Sequence, residues 1–181
     1  MDNQLSIATF AGGCFWCTEA VFSRLKGVEK VVSGYTGGHI KNPAYREICT
    51  GRTGHAEAIQ IYYDDKVISF KELLEVFFAT HDPTTLNRQG NDMGTQYRSA
   101  IFYNEKSQKE AANHFIGLLE KEAVFDSPIV TEVVPLETFY IAEDYHQNYF
   151  NQNSEQAYCQ FIINPKLKKL KTNFSNKLKT I

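Results

Sequence analysis

Four cysteines, Cys14, Cys17, Cys49 and Cys159, are the side chains of this sequence best suited to redox chemistry, and two of them stand three residues apart in Gly12-Gly13-Cys14-Phe15-Trp16-Cys17. Ahead of this stretch, Leu5 to Phe10 alternates as a strand does, and behind it Cys17, Ala20, Val21 and Leu25 recur at helical spacing. Cys14 is therefore expected where a strand ends and a helix begins. Unpaired backbone N–H groups and the positive end of the helix dipole favour thiolate there, the form in which sulfur attacks. The alternative is a cysteine packed as core beside Phe15 and Trp16. The Gly-Gly approach and the second cysteine weigh toward reactivity. A carboxyl is the second candidate. Glu57 opens an alternating run in which Glu57, Ile59, Ile61 and Tyr63 share one strand face. If that face meets the core, desolvation raises the Glu57 pKa and keeps a proton available near neutrality. If the strand end is exposed, Glu57 is an ordinary solvated carboxylate, and the pattern fits both.

The elements that must hold these groups follow from periodicity and breakers. Thr18 to Leu25 reads as a helix, Val28 to Tyr35 as a strand, and residues 39 to 55 as irregular apart from Tyr45 to Cys49. Glu57 to Tyr63 is a strand. Ser69 opens a helix through a capping box with Glu72, with Ile68 and Leu73 as its hydrophobic staple, and Pro83 prevents its continuation. Residues 81 to 97 form a long polar loop, a length that in compact folds usually signals function. Arg98 to Tyr103 reads as a strand and 105 to 122 as a helix with Ala111, Phe115, Leu118 and Glu122 on its stripe. A strand at Thr131 to Val134 and a helix at Glu143 to Asn151 follow, and Lys166 to Lys179 is a lysine-rich, mostly solvated face compatible with a helix. This order is compatible with an α+β, two-layer sandwich.

With 181 residues, one domain spanning 1–181 is expected. A net charge of −2 offers no basic field for nucleic acid. No apolar run reaches a membrane span, and Met1 to Gln4 lacks the basic and apolar regions of a signal peptide. A cytoplasmic location and cysteines kept as thiols are expected.

Six further blocks complete the pattern: Ser33-Gly34-Tyr35-Thr36-Gly37-Gly38, Thr53-Gly54-His55-Ala56-Glu57, His81-Asp82-Pro83-Thr84, Asn87-Arg88-Gln89-Gly90-Asn91-Asp92, Gly94-Thr95-Gln96-Tyr97-Arg98-Ser99 and Tyr145-His146-Gln147. With Gly13-Cys14-Phe15-Trp16 at their head, in this order, the chain resembles the A-type peptide methionine sulfoxide reductases from about residue 5 to 167. The resemblance implies a mixed sheet with helices packed on it, a ferredoxin-like centre and an irregular C-terminal segment. It implies reduction of methionine-S-sulfoxide, free or in proteins, by a monomer without cofactor or metal, with thioredoxin as reductant. Carried over residue by residue, Cys14 is the nucleophile and Glu57 the proton donor. Tyr45 and Tyr97 bind the sulfoxide oxygen, Asp92 belongs to the same polar network, and Phe15 and Trp16 wall the substrate's methyl group. Attack would leave Cys14 as a sulfenic acid.

Cys17 departs from the family's commonest pattern, which has a small residue there, whereas Cys159 resembles its C-terminal resolving cysteine. Cys159 would resolve Cys14 directly, or a relay would run from Cys14 through Cys17 to Cys159 on a flexible tail. Cys49 matches no motif. Two rival classes remain in view. A thioredoxin-like thiol-disulfide oxidoreductase would use Cys14 and Cys17, although its tryptophan would precede the first cysteine. A zinc module would need a second ligand pair, which the sequence does not offer.

Overall fold

The computed structural model describes residues 4–180, so Met1 to Asn3 of the N-terminal stretch lie outside the described residues. Strand β1 (Ser6–Gly12) leads into helix α1 (Phe15–Phe22), and β2 (Val28–Thr36) follows. A short helix α2 (Tyr45–Ile48) precedes β3 (Ala56–Tyr63) and α3 (Phe70–Thr80). The polar stretch after α3 folds as a two-residue-stranded hairpin, β4 (Arg88–Gln89) and β5 (Asp92–Met93), and a 3₁₀ turn at Thr95–Tyr97. Then come β6 (Ser99–Tyr103), α4 (Lys106–Lys121), β7 (Glu132–Pro135), β8 (Tyr140–Ile141), α5 (Tyr149–Gln152) and α6 (Asn164–Phe174).

Six strands form one sheet in the order β7-β6-β1-β3-β2-β8, parallel at β6/β7 and antiparallel elsewhere. Its middle, β6-β1-β3-β2 with α1 and α3 as the crossovers, is the βαββαβ arrangement of ferredoxin-like folds. The mixed α+β sandwich read from the sequence is therefore what the chain adopts. On the helical face Phe10, Ile59 and Ile61 pack with Val21 and Phe22 of α1 and Leu73, Leu74 and Phe77 of α3. The other face is built from Ala11, Ala56, Ala58, Ala100 and Phe102, small enough that Leu136 and Phe139 of the following segment lie against it. The capping box at α3 forms: the Ser69 hydroxyl accepts from Glu72 N–H at 3.2 Å, and the Glu72 carboxylate accepts from Ser69 N–H at 2.8 Å.

Four expectations change. Helix α1 begins at Phe15 rather than Thr18, which makes Cys14 its N-cap. On α4 the buried stripe is Ala112, Phe115, Ile116 and Leu119, while Leu118 is exposed, because that set repeats at i, i+3, i+4, i+7. The helix expected over 143 to 151 is broken into a 3₁₀ turn at Asp144–His146 and α5, with Asn148 left-handed between them at φ 53°. Asparagine tolerates that conformation, and Gln147 is extended there so that its amide pairs with Ser33 N–H and C=O at 3.0 and 2.9 Å. Finally, the C-terminal segment is irregular only up to Gln156. One π turn at Cys159–Ile163 runs straight into α6. Cys159, Ile163, Leu167 and Leu170 recur at helical spacing, and three of the four are fully or almost fully buried, so the tail expected to be flexible is docked.

Candidate active site

The strand-to-helix junction sets the site. Gly13 turns the chain at φ +97°, and a Cβ there would meet the Gln89 side chain of the β4–β5 hairpin at 2.7 Å, so only glycine lets the hairpin close on the junction. Cys14 follows as N-cap of α1 without a side-chain capping bond. The first orphan N–H of the helix, on Phe15, donates to Glu57 Oε1 at 3.1 Å across 42 residues of sequence. Glu57 thus faces the helical side of the sheet with Ile59 and Ile61, the inward of the two readings its alternation allowed, and is 2% exposed. Burial pushes its carboxyl up to about 8, with the Phe15 N–H opposing and the charges of Asp92 and Cys17 adding.

The two thiols differ from expectation. Burial, a hydrogen bond with Cys17 and the Glu57 charge together raise the Cys14 pKa well above the usual thiol value, and the N–H of Trp16 lowers it less. Cys17 is lowered to about 7 by the hydrogen bond from Cys14, against burial, with help from Lys166 and Tyr158. In the resting site the anion of the pair sits on Cys17 and Cys14 keeps the proton, because desolvation outweighs the helix terminus. Cys159 is 0% exposed and shares a buried cluster with Cys14 and Cys17. Cys49 is exposed and lies within hydrogen-bonding influence of Tyr45.

Around these groups the sequence-derived residues converge. Burial first, and then the charges of Glu57 and Cys14, hold the Tyr97 phenol protonated. Burial, Cys49 and Glu57 do the same for Tyr45. Both remain neutral donors. Asp92, on β5, accepts the Tyr158 hydroxyl at 2.7 Å, and that same hydroxyl lies 3.5 Å from Cys17 Sγ. Phe15 is fully buried against Tyr35. Trp16 is half-buried, stacked on Tyr149 at 3.7 Å and 7°, and donates its indole N–H to His146 Nδ1 at 3.0 Å.

Residues that sequence reasoning passed over hold this arrangement. His146 is fully buried, touches the rings of Phe15 and Tyr45, and has no partner for Nε2. With Nδ1 accepting from Trp16, Nε2 carries the proton. Glu19, buried on α1, accepts from Ser33 Oγ at 2.8 Å and from Asn148 N–H, and so ties α1 to β2 and to the left-handed turn. Glu143 accepts from Tyr35 OH at 3.0 Å and from Tyr45 N–H at 3.1 Å. The Tyr145-His146-Gln147 block was visible as a motif, but Trp16 and Ser33, which His146 and Gln147 hydrogen-bond, stand more than 100 residues away.

A family model described as peptide methionine sulfoxide reductase matches residues 6–178. The chain belongs to that family. Peptide methionine sulfoxide reductase MsrA of Chromobacterium violaceum is 57% identical over 171 residues, which cover 94% of this chain and 97% of that protein. The crystal structure of Mxr1 from Saccharomyces cerevisiae in reduced form matches with a TM-score of 0.79 at 33% identity, over 88% of this chain and 91% of that one. The same yeast protein in complex with Trx2 matches with a TM-score of 0.56 at 24% identity, over 82% and 87%, and adds support for the fold. In a peptide methionine sulfoxide reductase, chemistry centres on thiols. Here three of the four cysteines gather in one buried cluster beside a carboxyl that keeps its proton. Among the described residues no helix is long and apolar enough to cross a membrane.

Proposed function

We propose that this chain reduces methionine-S-sulfoxide, free or in proteins, to methionine, with Cys14 as the nucleophile. The observation that carries the reading is the buried Glu57 carboxyl, bonded to the N–H next to Cys14 and held protonated up to about pH 8. A sulfoxide oxygen is a poor leaving group and must gain protons while a thiolate attacks its sulfur. Cys14 passes its proton toward Cys17 and attacks, Glu57 donates to the oxygen, and the phenols of Tyr45 and Tyr97 donate hydrogen bonds to it as negative charge grows. Phe15 and Trp16 wall the methyl group, and Asp92 holds Tyr158 over the thiols. The sulfide leaves as methionine, and Cys14 carries the oxygen as a sulfenic acid. Cys17, Cys159 or the two in relay then form a disulfide with release of water.

Thioredoxin supplies the two electrons that restore the thiols, a role in keeping with the yeast relative's complex with Trx2. The chain works as a single domain over 1–181, as a monomer, in the cytoplasm. No bound cofactor is needed for this route, since both electrons travel through sulfur. A general thiol-disulfide oxidoreductase would instead reduce insulin readily and ignore sulfoxides. The test is to mix reduced protein with methionine-S-sulfoxide, without reductant, and to count methionine formed per chain. About one methionine per chain is expected if a disulfide closes on Cys14, and up to about two if the relay to Cys159 frees Cys14 again. No methionine, with brisk insulin reduction, would overturn the reading.

A further inference from the structure

A cavity of about 240 Å³ opens beside the thiols, lined by Cys14 and Cys17, by Gln89 to Asp92 of the hairpin, by Tyr158 and Ile162, and by Lys166. Lys166 is half-buried in the first turn of α6, next to Pro165, and its Nζ donates to Thr80 C=O at 3.3 Å. Among the described residues it takes part in no ion pair. Its ammonium, tethered to a neutral carbonyl, faces a cavity that holds two buried thiols and the Asp92 carboxylate, which is itself engaged by the Tyr158 hydroxyl.

We propose that Lys166 is a positioning residue of the recycling step: its ammonium, across the cavity it shares with Cys14 and Cys17, holds Cys17 as the thiolate that attacks the Cys14 sulfenic acid. This rests on the reading of Cys14 as nucleophile. In the resting site the main stabiliser of the Cys17 anion is the proton on Cys14. Turnover removes that thiol, because Cys14 becomes S–OH. The groups that still act on Cys17 are Lys166 from α6, Tyr158 and Cys159 from the C-terminal segment, Asp92 from β5 and Glu57 from β3. Of these only Lys166 is a cation, so it matters most when the anion is needed. Cys17, protonated when Cys14 attacked, gives up that proton, its thiolate attacks the Cys14 sulfur, the S–S bond forms, the S–O bond breaks, and the leaving hydroxide takes up a proton as water. The Cys14 sulfur is reduced and the Cys17 sulfur oxidised, with no external electrons.

The experiment uses the full chain carrying Cys159→Ser, so that Cys17 alone can resolve. One equivalent of methionine-S-sulfoxide is added, and methionine release and loss of sulfenic acid, trapped by a dione and read by mass spectrometry, are followed together. In the Lys166→Met version, loss of sulfenic acid at neutral pH should slow about tenfold relative to methionine release, the usual worth of a nearby opposite charge. The deficit should shrink as pH rises and Cys17 ionises unaided, and Lys166→Arg should restore the rate. Unchanged sulfenic acid loss in Lys166→Met, an equal deficit at every pH, or sulfenic acid that persists with Lys166 in place would each overturn the proposal. Absence of methionine release with Lys166 in place would instead overturn the assignment of Cys14.

Discussion

Replacing Glu57 by glutamine should move activity and stability in opposite directions. The amide keeps the size of the carboxyl and can still accept from Phe15 N–H, now 3.1 Å from Oε1, but it has no proton to give. General acid catalysis is commonly worth about 10²–10⁴-fold, and that loss is expected in single-turnover methionine release. Stability follows from proton linkage. Folded Glu57 keeps its proton up to about 8, whereas the free carboxyl loses it near 4.5. The folded state binds more protons across that window, so the contribution of Glu57 to stability is present below it, falls as pH rises through it, and is flat above. An interval of about 3.5 pH units corresponds to at most ~5 kcal/mol, and water entering around a charged Glu57 brings the cost to about 2–4 kcal/mol. Urea unfolding at pH 5 and pH 8.5 should therefore show wild type losing stability with pH where Glu57→Gln loses less. The wild-type rate of methionine release should also fall above about pH 8, and the variant should lack that limb. A Glu57→Gln rate near wild type with an unchanged pH profile would refute the reasoning and move the acid to Asp92 or Tyr97.

Three further outcomes are expected. Iodoacetamide should label exposed Cys49 first and fully buried Cys159 last in the reduced native protein, as read by peptide mass mapping, and rapid labelling of Cys159 would show that α6 undocks readily. Leu170→Ala should destabilise the chain by about 2–5 kcal/mol in urea and expose Cys159 to alkylation, since Leu170 is 1% exposed and anchors that helix; a loss below ~1 kcal/mol would mean it does not. Trp16 is the chain's one tryptophan, so its emission reports the bond to His146. His146→Leu should shift that emission, while His146→Asn, whose Oδ1 takes the place of Nδ1, should keep it. An unshifted Leu variant would show that the bond does not form in solution.

Much of this was legible in the sequence where the signal is local. The Ser69–Glu72 box, the staple of Ile68 and Leu73, the alternation that put Glu57 on one face with Ile59 and Ile61, and the breaker after Thr80 all act within a few residues. Where two readings shared one stretch, tertiary contacts decided. Ala112 rather than Ala111 faces the core because α4 is rotated to bury Phe115 and Ile116 together. Asn148 breaks a helix because Gln147 prefers Ser33, 114 residues away. The fold topology came from resemblance, as pairing order is not written in any single strand. At the site, the motif blocks held Cys14, Glu57, Tyr97 and Asp92, and the resemblance added Tyr45, but neither said which thiol carries the charge. That depends on burial, on Lys166 and on Tyr158, which no spacing near Cys14 reveals. The docking of Cys159 was missed for the same reason, since six lysines in and just beyond α6 mask the helical spacing of its few buried residues.

The central claim is that Cys14 attacks the sulfoxide, and one comparison tests it directly. Cys14→Ser, Cys17→Ser and Cys159→Ser are each reduced, freed of reductant and mixed with methionine-S-sulfoxide, and the methionine released in a single turnover is counted. Cys14→Ser should release none, because an alcohol is neither ionised nor comparably nucleophilic at neutral pH. Cys17→Ser and Cys159→Ser should still release about one methionine per chain, because attack precedes resolution. Methionine released by Cys14→Ser at even about a tenth of the wild-type rate would contradict the account.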